Sequence, residues 1–168
     1  GDYDWFFEGF TLYQALLTDI RLGFISFEDL LETVGRVYQS FLRAPDRNRL
    51  SLVEASERRW TTSPSLVYDK GLLVAFLFDL SLRTSSECRT SFSQIYPELF
   101  RMHLTGHENG NETIIRLLKD RFAMGPLATD HVENNREFDF PNLVAKYGLT
   151  LGAGARVTVQ RAHGAPCH

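Results

Sequence analysis

Cysteine is scarce in this chain of 168 residues. Only Cys88 and Cys167 occur, too few and too far apart for a disulfide framework or a Cys-x-x-Cys metal site, so two unpaired thiols are expected. Long apolar runs are lacking too. The longest, Gly71 to Phe78, has the length of a buried helix and falls short of the ~18 residues a membrane span requires. No basic-then-apolar leader opens the chain, and no residue pattern assigns a compartment. Lysine is rare: of 18 basic residues only Lys70, Lys119 and Lys146 are lysines, and the arginines are scattered. With a net charge of −3 there is no basic footprint for nucleic acid.

Several catalytic signatures are missing as well. There is no G-x-S-x-G elbow and no glycine-rich phosphate loop. His107-Glu108-Asn109-Gly110-Asn111 begins like a zinc helix, but the second imidazole must stand at i+4, where this chain has Asn111. A loop is expected there. His103 and His131 are expected in surface or packing roles, and His163 and His168 at most as adventitious metal binders. The carboxylate pairs Glu28/Asp29 and Glu137/Asp139 read as solvated faces.

What is present is helix punctuation. Trp5 to Leu22 carries an apolar arc of Trp5, Phe6, Phe10, Leu12, Tyr13, Leu16, Leu17 and Ile20, stopped by Gly23. Ser26 caps a second helix to about Arg43, with Asp29 three residues on. Ser51-Leu-Val-Glu54 is a capping box opening a short helix to Trp60. Ser63 with Pro64 at the first helical position starts a helix to about Arg83, and its stretch Leu72 to Phe78 is apolar all round, which predicts a central, fully packed helix. Phe92 to His103, Glu112 to Met124 (capped by Asn111) and Pro141 to Tyr147 are further expected helices. The fold class expected is all-α, an irregular bundle around the helix at about 63–83. Residues 1–149 are expected as the helical body. Residues 150–168, with alternation over 156–160, are expected as a tail that is flexible, a stray strand or the start of a following segment.

Two local features stand out. On a helical wheel Glu8 lies at the edge of the apolar arc, a position where a glutamate is ordinarily solvated. Tyr68 opens the central helix beside Gly71, and a glycine inside a helix costs about 1 kcal/mol against alanine. Gly71 therefore reads as a packing notch or as a place where another backbone comes close. Asp79 faces the Tyr68 side with Arg83 at i+4, and the two are expected to pair.

Trp5-Phe6-Phe7-Glu8-Gly9-Phe10 resembles the W-x-x-E-G-F segment of the gluzincin metallopeptidases, and Tyr68-Asp69-Lys70-Gly71, sixty residues further on, resembles their Y-[DE]-K-G segment. The wording of the central helix, with Ser51 to Glu57 and Trp60, is most similar to the glycyl aminopeptidase branch. The resemblance covers residues 4–83 well and 111–151 loosely. It implies a zinc aminopeptidase acting on peptides, with glycine and alanine favoured at the N-terminus. In that scheme Glu8 is the third zinc ligand, Tyr68 the oxyanion stabiliser, and Gly71, Asp79 and Arg83 are supporting residues. The H-E-x-x-H helix of such enzymes lies upstream of the glutamate, and this chain starts seven residues before Glu8. It is thus expected to be the C-terminal part of a catalytic domain, inactive and without catalytic zinc when alone. Without that N-terminal half an apolar face around Trp5, Phe6 and Phe7 is expected to lie open and to favour self-association. Glu8 and Tyr68 are expected to face one shallow cleft. The rival readings are a non-catalytic helical scaffold descended from such an enzyme and an epoxide hydrolase on the same scaffold.

Overall fold

The computed structural model describes residues 2–61, 64–103, 109–152 and 159–161. A wide π-helical segment, Trp5–Phe10, runs straight into α1, Thr11–Arg21, and Gly23 ends the helix with a φ of +77° that glycine adopts without cost. There follow α2 (Phe27–Arg43), α3 (Leu52–Glu57) and α4 (Pro64–Ser85). A 3-10 turn, Phe92–Gln94, leads into α5 (Ile95–His103). Beyond these come α6 (Gly110–Arg116), α7 (Gly125–Ala128) and α8 (Phe140–Ala145), with π-helical segments at Leu117–Arg121 and Thr129–Glu133. Two short strands, β1 (Leu149–Leu151) and β2 (Val159–Arg161), pair antiparallel with Thr150 opposite Gln160. This is the expected all-α bundle.

The capping boxes form as the sequence dictates. Ser26 accepts from the Asp29 amide while Asp29 accepts from the Ser26 amide, and Ser51 and Glu54 repeat the exchange. Ser63 lies outside the described residues, as do the His107–Glu108 near miss, His163 and His168. The central helix is central: from Leu72 to Leu80 no residue is more than 3% exposed. Around it close the π-helical segment, α1, α2, α3 and α8.

Several expectations are corrected. Trp5 and Phe6 are buried, at 0% and 5% exposure, because they pack edge-on and tilted against Phe10 and Tyr96. Of the expected open face only Phe7 is exposed, and Leu12, placed in the apolar arc, is exposed too. The first segment winds as a π-helix, whose i→i+5 bonds fit about one more residue per turn than the α wheel assumes. The cap of α6 is Asn109, whose side chain accepts from the Asn111 amide at 2.8 Å. Asn111 instead accepts from the buried Trp5 indole at 2.9 Å, satisfying a donor that would otherwise be stranded in the core. Cys88 is disulfide-bonded, not an unpaired thiol, and its partner lies outside the described residues.

Lys70 and His131 are among the titratable side chains buried inside the bundle. Lys70 is fully buried on α4, its Nζ 5.9 Å from the Phe138 ring centre and without a hydrogen bond among the described residues. Burial lowers its pKa to about 8, against the opposing pull of Glu54. His131 packs edge-on to the same Phe138 ring at 5.1 Å. Burial, then the charge of Lys70, lowers its pKa to about 4.

Candidate functional site

Glu8 comes from the π-helical segment and Tyr68 from the first turns of α4, and the two elements touch backbone to backbone. A Cβ built on Gly9 would stand 2.5 Å from the Gly71 Cα, and one built on Gly71 would stand 2.9 Å from the Trp5 carbonyl oxygen. Only a glycine pair permits this crossing, and it sets Glu8 and Tyr68 beside each other. The third contributor is α3. Its Ser56 hydroxyl accepts from the Trp5 amide at 2.9 Å and donates to the Leu52 carbonyl, which pins the helix to the start of the π-helical segment.

Just beyond α3, Arg59 reaches into the junction. Its Nη1 lies 2.7 Å from Glu8 Oε1 and 3.4 Å from Asp4 Oδ2, and its Nη2 donates to the Tyr68 hydroxyl at 2.6 Å. The guanidinium also lies 5.0 Å from the Trp60 ring centre and 5.3 Å from that of Tyr68. The three charged side chains are about a fifth exposed or less, so the cluster is largely screened from solvent. Burial raises the Tyr68 phenol above its ordinary pKa. Glu8 adds to this as hydrogen-bond acceptor and as charge, while Arg59 opposes it.

Asp79 and Arg83 are not part of this cluster. They lie eleven or more residues along α4 from Tyr68, about 16 Å at the helical rise. There Asp79 accepts from the Tyr13 hydroxyl at 2.7 Å, the Phe92 amide at 2.8 Å and Arg83 Nε at 3.0 Å.

Residues 2–74 match the family model of the M61 glycyl aminopeptidases. The match spans less than half of the chain, and it takes in Asp4, Glu8, Gly9, Arg59, Tyr68 and Gly71 while leaving Asp79 and Arg83 outside. The first 74 residues are therefore related to that M61 peptidase family. No curated protein and no solved structure matches the chain.

The M61 relationship raises the question of a metal. Among the described residues no group of three or more His, Cys, Asp or Glu side chains converges. A catalytic zinc takes three protein ligands. Here Glu8 is bound to Arg59, and its nearest acidic neighbour, Asp4, is bound to the same guanidinium. The described residues alone do not fit a catalytic zinc.

Arg59 escapes a reading of the sequence because Arg58-Arg59-Trp60 resembles any solvated loop between helices. The one signal is its place: it follows a capped helix that is pinned to the start of the segment bearing Glu8.

Proposed function

We propose that this chain carries part of the active site of an aminopeptidase related to the M61 glycyl aminopeptidases. The observation that supports it is the meeting of Glu8 and Tyr68, sixty residues apart in sequence, at one guanidinium. In this reading Glu8 is one ligand of a zinc site completed by an upstream segment bearing H-E-x-x-H, and the substrate is a peptide with a free N-terminus, glycine or alanine preferred.

The part this chain plays in the reaction is electrostatic. When the scissile carbonyl becomes tetrahedral, negative charge develops on its oxygen. A phenol held at that point donates a hydrogen bond that strengthens as the charge grows, so it lowers the barrier without tightening substrate binding. The Tyr68 hydroxyl, kept protonated by its raised pKa, is suited to that task. Tyr68→Phe in the full natural chain should lower kcat by roughly 10²–10³-fold with KM little changed. Unchanged turnover on glycyl and alanyl substrates removes Tyr68 from the mechanism.

One observation favours a second reading, a helical scaffold of peptidase descent. Trp5 and Phe6 are buried and Glu8 is already neutralised, so the core closes without a further segment. Metal analysis of the full natural chain separates the two: stoichiometric zinc lost on Glu8→Gln supports the enzyme, and no zinc supports the scaffold.

A further inference from the structure

The two groups assigned to the chemistry share one holder. Arg59 bonds to both Glu8 and Tyr68, through different nitrogens of one planar fork at 2.7 and 2.6 Å. We infer that Arg59 is the positioning residue of this site, fixing the Glu8 carboxylate and the Tyr68 hydroxyl in a single arrangement. What Glu8 and Tyr68 do rests on the aminopeptidase reading; what Arg59 does to them rests on its contacts alone.

The chemistry of the fork explains why one residue suffices. A guanidinium presents parallel donors at fixed separation, whereas an ammonium is a point charge on a flexible stem. By donating to the Tyr68 oxygen, Nη2 occupies an acceptor direction of the phenol and turns its hydrogen away from the cation. That hydrogen is then left for an anionic oxygen, which in this structure is the Glu8 carboxylate beside it. A cation on the phenol oxygen also polarises the O–H bond, which makes the phenol a stronger donor.

The carboxylate end is held in the same way. Nη1 binds Glu8 Oε1, and Asp4 at 3.4 Å supplies a second negative charge, so Arg59 is not left as an uncompensated cation among half-buried groups. The stacking of the guanidinium against Trp60 and Tyr68 restricts the side chain further, because a cation is attracted to the face of an aromatic ring. Glu8, Arg59 and Tyr68 come from three separate elements. Losing the arginine would therefore leave the other two joined only by the hydrogen bond from Tyr68 to Glu8.

The test compares Arg59→Lys and Arg59→Met in the full natural chain, with two readouts. The first is steady-state hydrolysis of a glycyl anilide. Arg59→Met should lower kcat by roughly 10²-fold with KM within about twofold, and Arg59→Lys, which keeps the charge near Glu8 but cannot serve both acceptors, should lower it by about 10-fold. A purely structural arginine would move kcat and KM together or neither, and the lysine variant would then show no partial rescue. Either pattern overturns the inference.

The second readout needs no activity. Urea unfolding of Arg59→Lys, Tyr68→Phe and the double variant should show a combined effect on the unfolding equilibrium smaller than the product of the single effects, because each change already breaks the shared bond. A combined effect equal to the product overturns the inference. If the wild-type chain hydrolyses no aminopeptidase substrate, the enzyme reading fails, and the unfolding cycle still decides whether Arg59 couples to Tyr68.

Discussion

The Cα of Gly71 lies where a side chain on Gly9 would have to be: a Cβ there would stand 2.5 Å from it and 2.9 Å from the Leu72 nitrogen. Both obstacles are backbone atoms, so no rotamer change relieves the clash. Gly9→Ala should force the two helices apart and cost about 1–3 kcal/mol or more, as overpacking of a filled site does. Thermal unfolding checks this. Because the crossing also sets Glu8 beside Tyr68, the Arg59 contacts should loosen in the same variant, and an unshifted melting temperature would show that the backbones can part without cost.

Lys70 should be a liability at neutral pH. Its folded pKa of about 8 lies below the unfolded value of 10.5, so between these limits the unfolded state binds more protons and stability rises with pH. Below pH 8 the whole penalty is present. Lys70→Met should therefore raise stability at pH 7 by on the order of 2–3 kcal/mol, and the gain should shrink towards zero as pH approaches 10.5. Denaturant unfolding at pH 7 and 10 measures both ends. A loss of stability at pH 7 would mean that the ammonium has a partner that burial conceals.

His131 should act at the acid end. Its folded pKa of about 4 is below the unfolded 6.5, so the fold loses stability as pH falls from 6.5 to 4 and loses no more below that from this group. The groups facing it are Lys70, Asp130, Arg136 and Lys146, three of them cationic. His131→Phe should flatten the acid limb of the stability profile by about 2–3 kcal/mol. An unchanged slope between pH 6.5 and 4 would show that other groups govern it.

Asp79 gathers three donors in a site only 3% exposed. Asp79→Ala would strand the Tyr13 hydroxyl and the Phe92 amide and take one partner from Arg83, and should cost about 3–5 kcal/mol, as removing one partner of a buried ion pair does. Tyr13→Phe removes a single donor and leaves the carboxylate two, so about 1 kcal/mol is expected. Equal effects from the two variants would mean that Tyr13 alone holds the junction.

The capped helices were legible because their signals are local: Ser26 with Asp29 and Ser51 with Glu54 carry their own partners within four residues. The central position of α4 was legible from its apolar circumference. What escaped depends on distance along the chain. Asn111 gives up its capping role because Trp5, more than a hundred residues away, needs an acceptor. Arg59 is ordinary until Glu8 and Tyr68 are set around it, and Cys88 carries no trace of its bond. At the site, Glu8, Tyr68 and the closeness of Gly71 could be picked out, whereas the cation between the first two could not. The segments Gly125–Ala128 and Thr129–Glu133 had no periodic pattern long enough to show.

The wide turn over Trp5–Phe10 lets the surroundings of Glu8 absorb a change of one codon. A π-helical turn is an α turn with about one residue inserted. Removing one, such as the exposed Phe7, would let the segment relax to ordinary winding while Gly9 and Phe10 kept their seats against α4. The residues before the deletion would keep their angle around the axis, because the residue lost is the one the wide turn had accommodated. Asp4 would stay by Arg59 and Trp5 by Asn111, with the Glu8–Gly9–Phe10 motif unchanged.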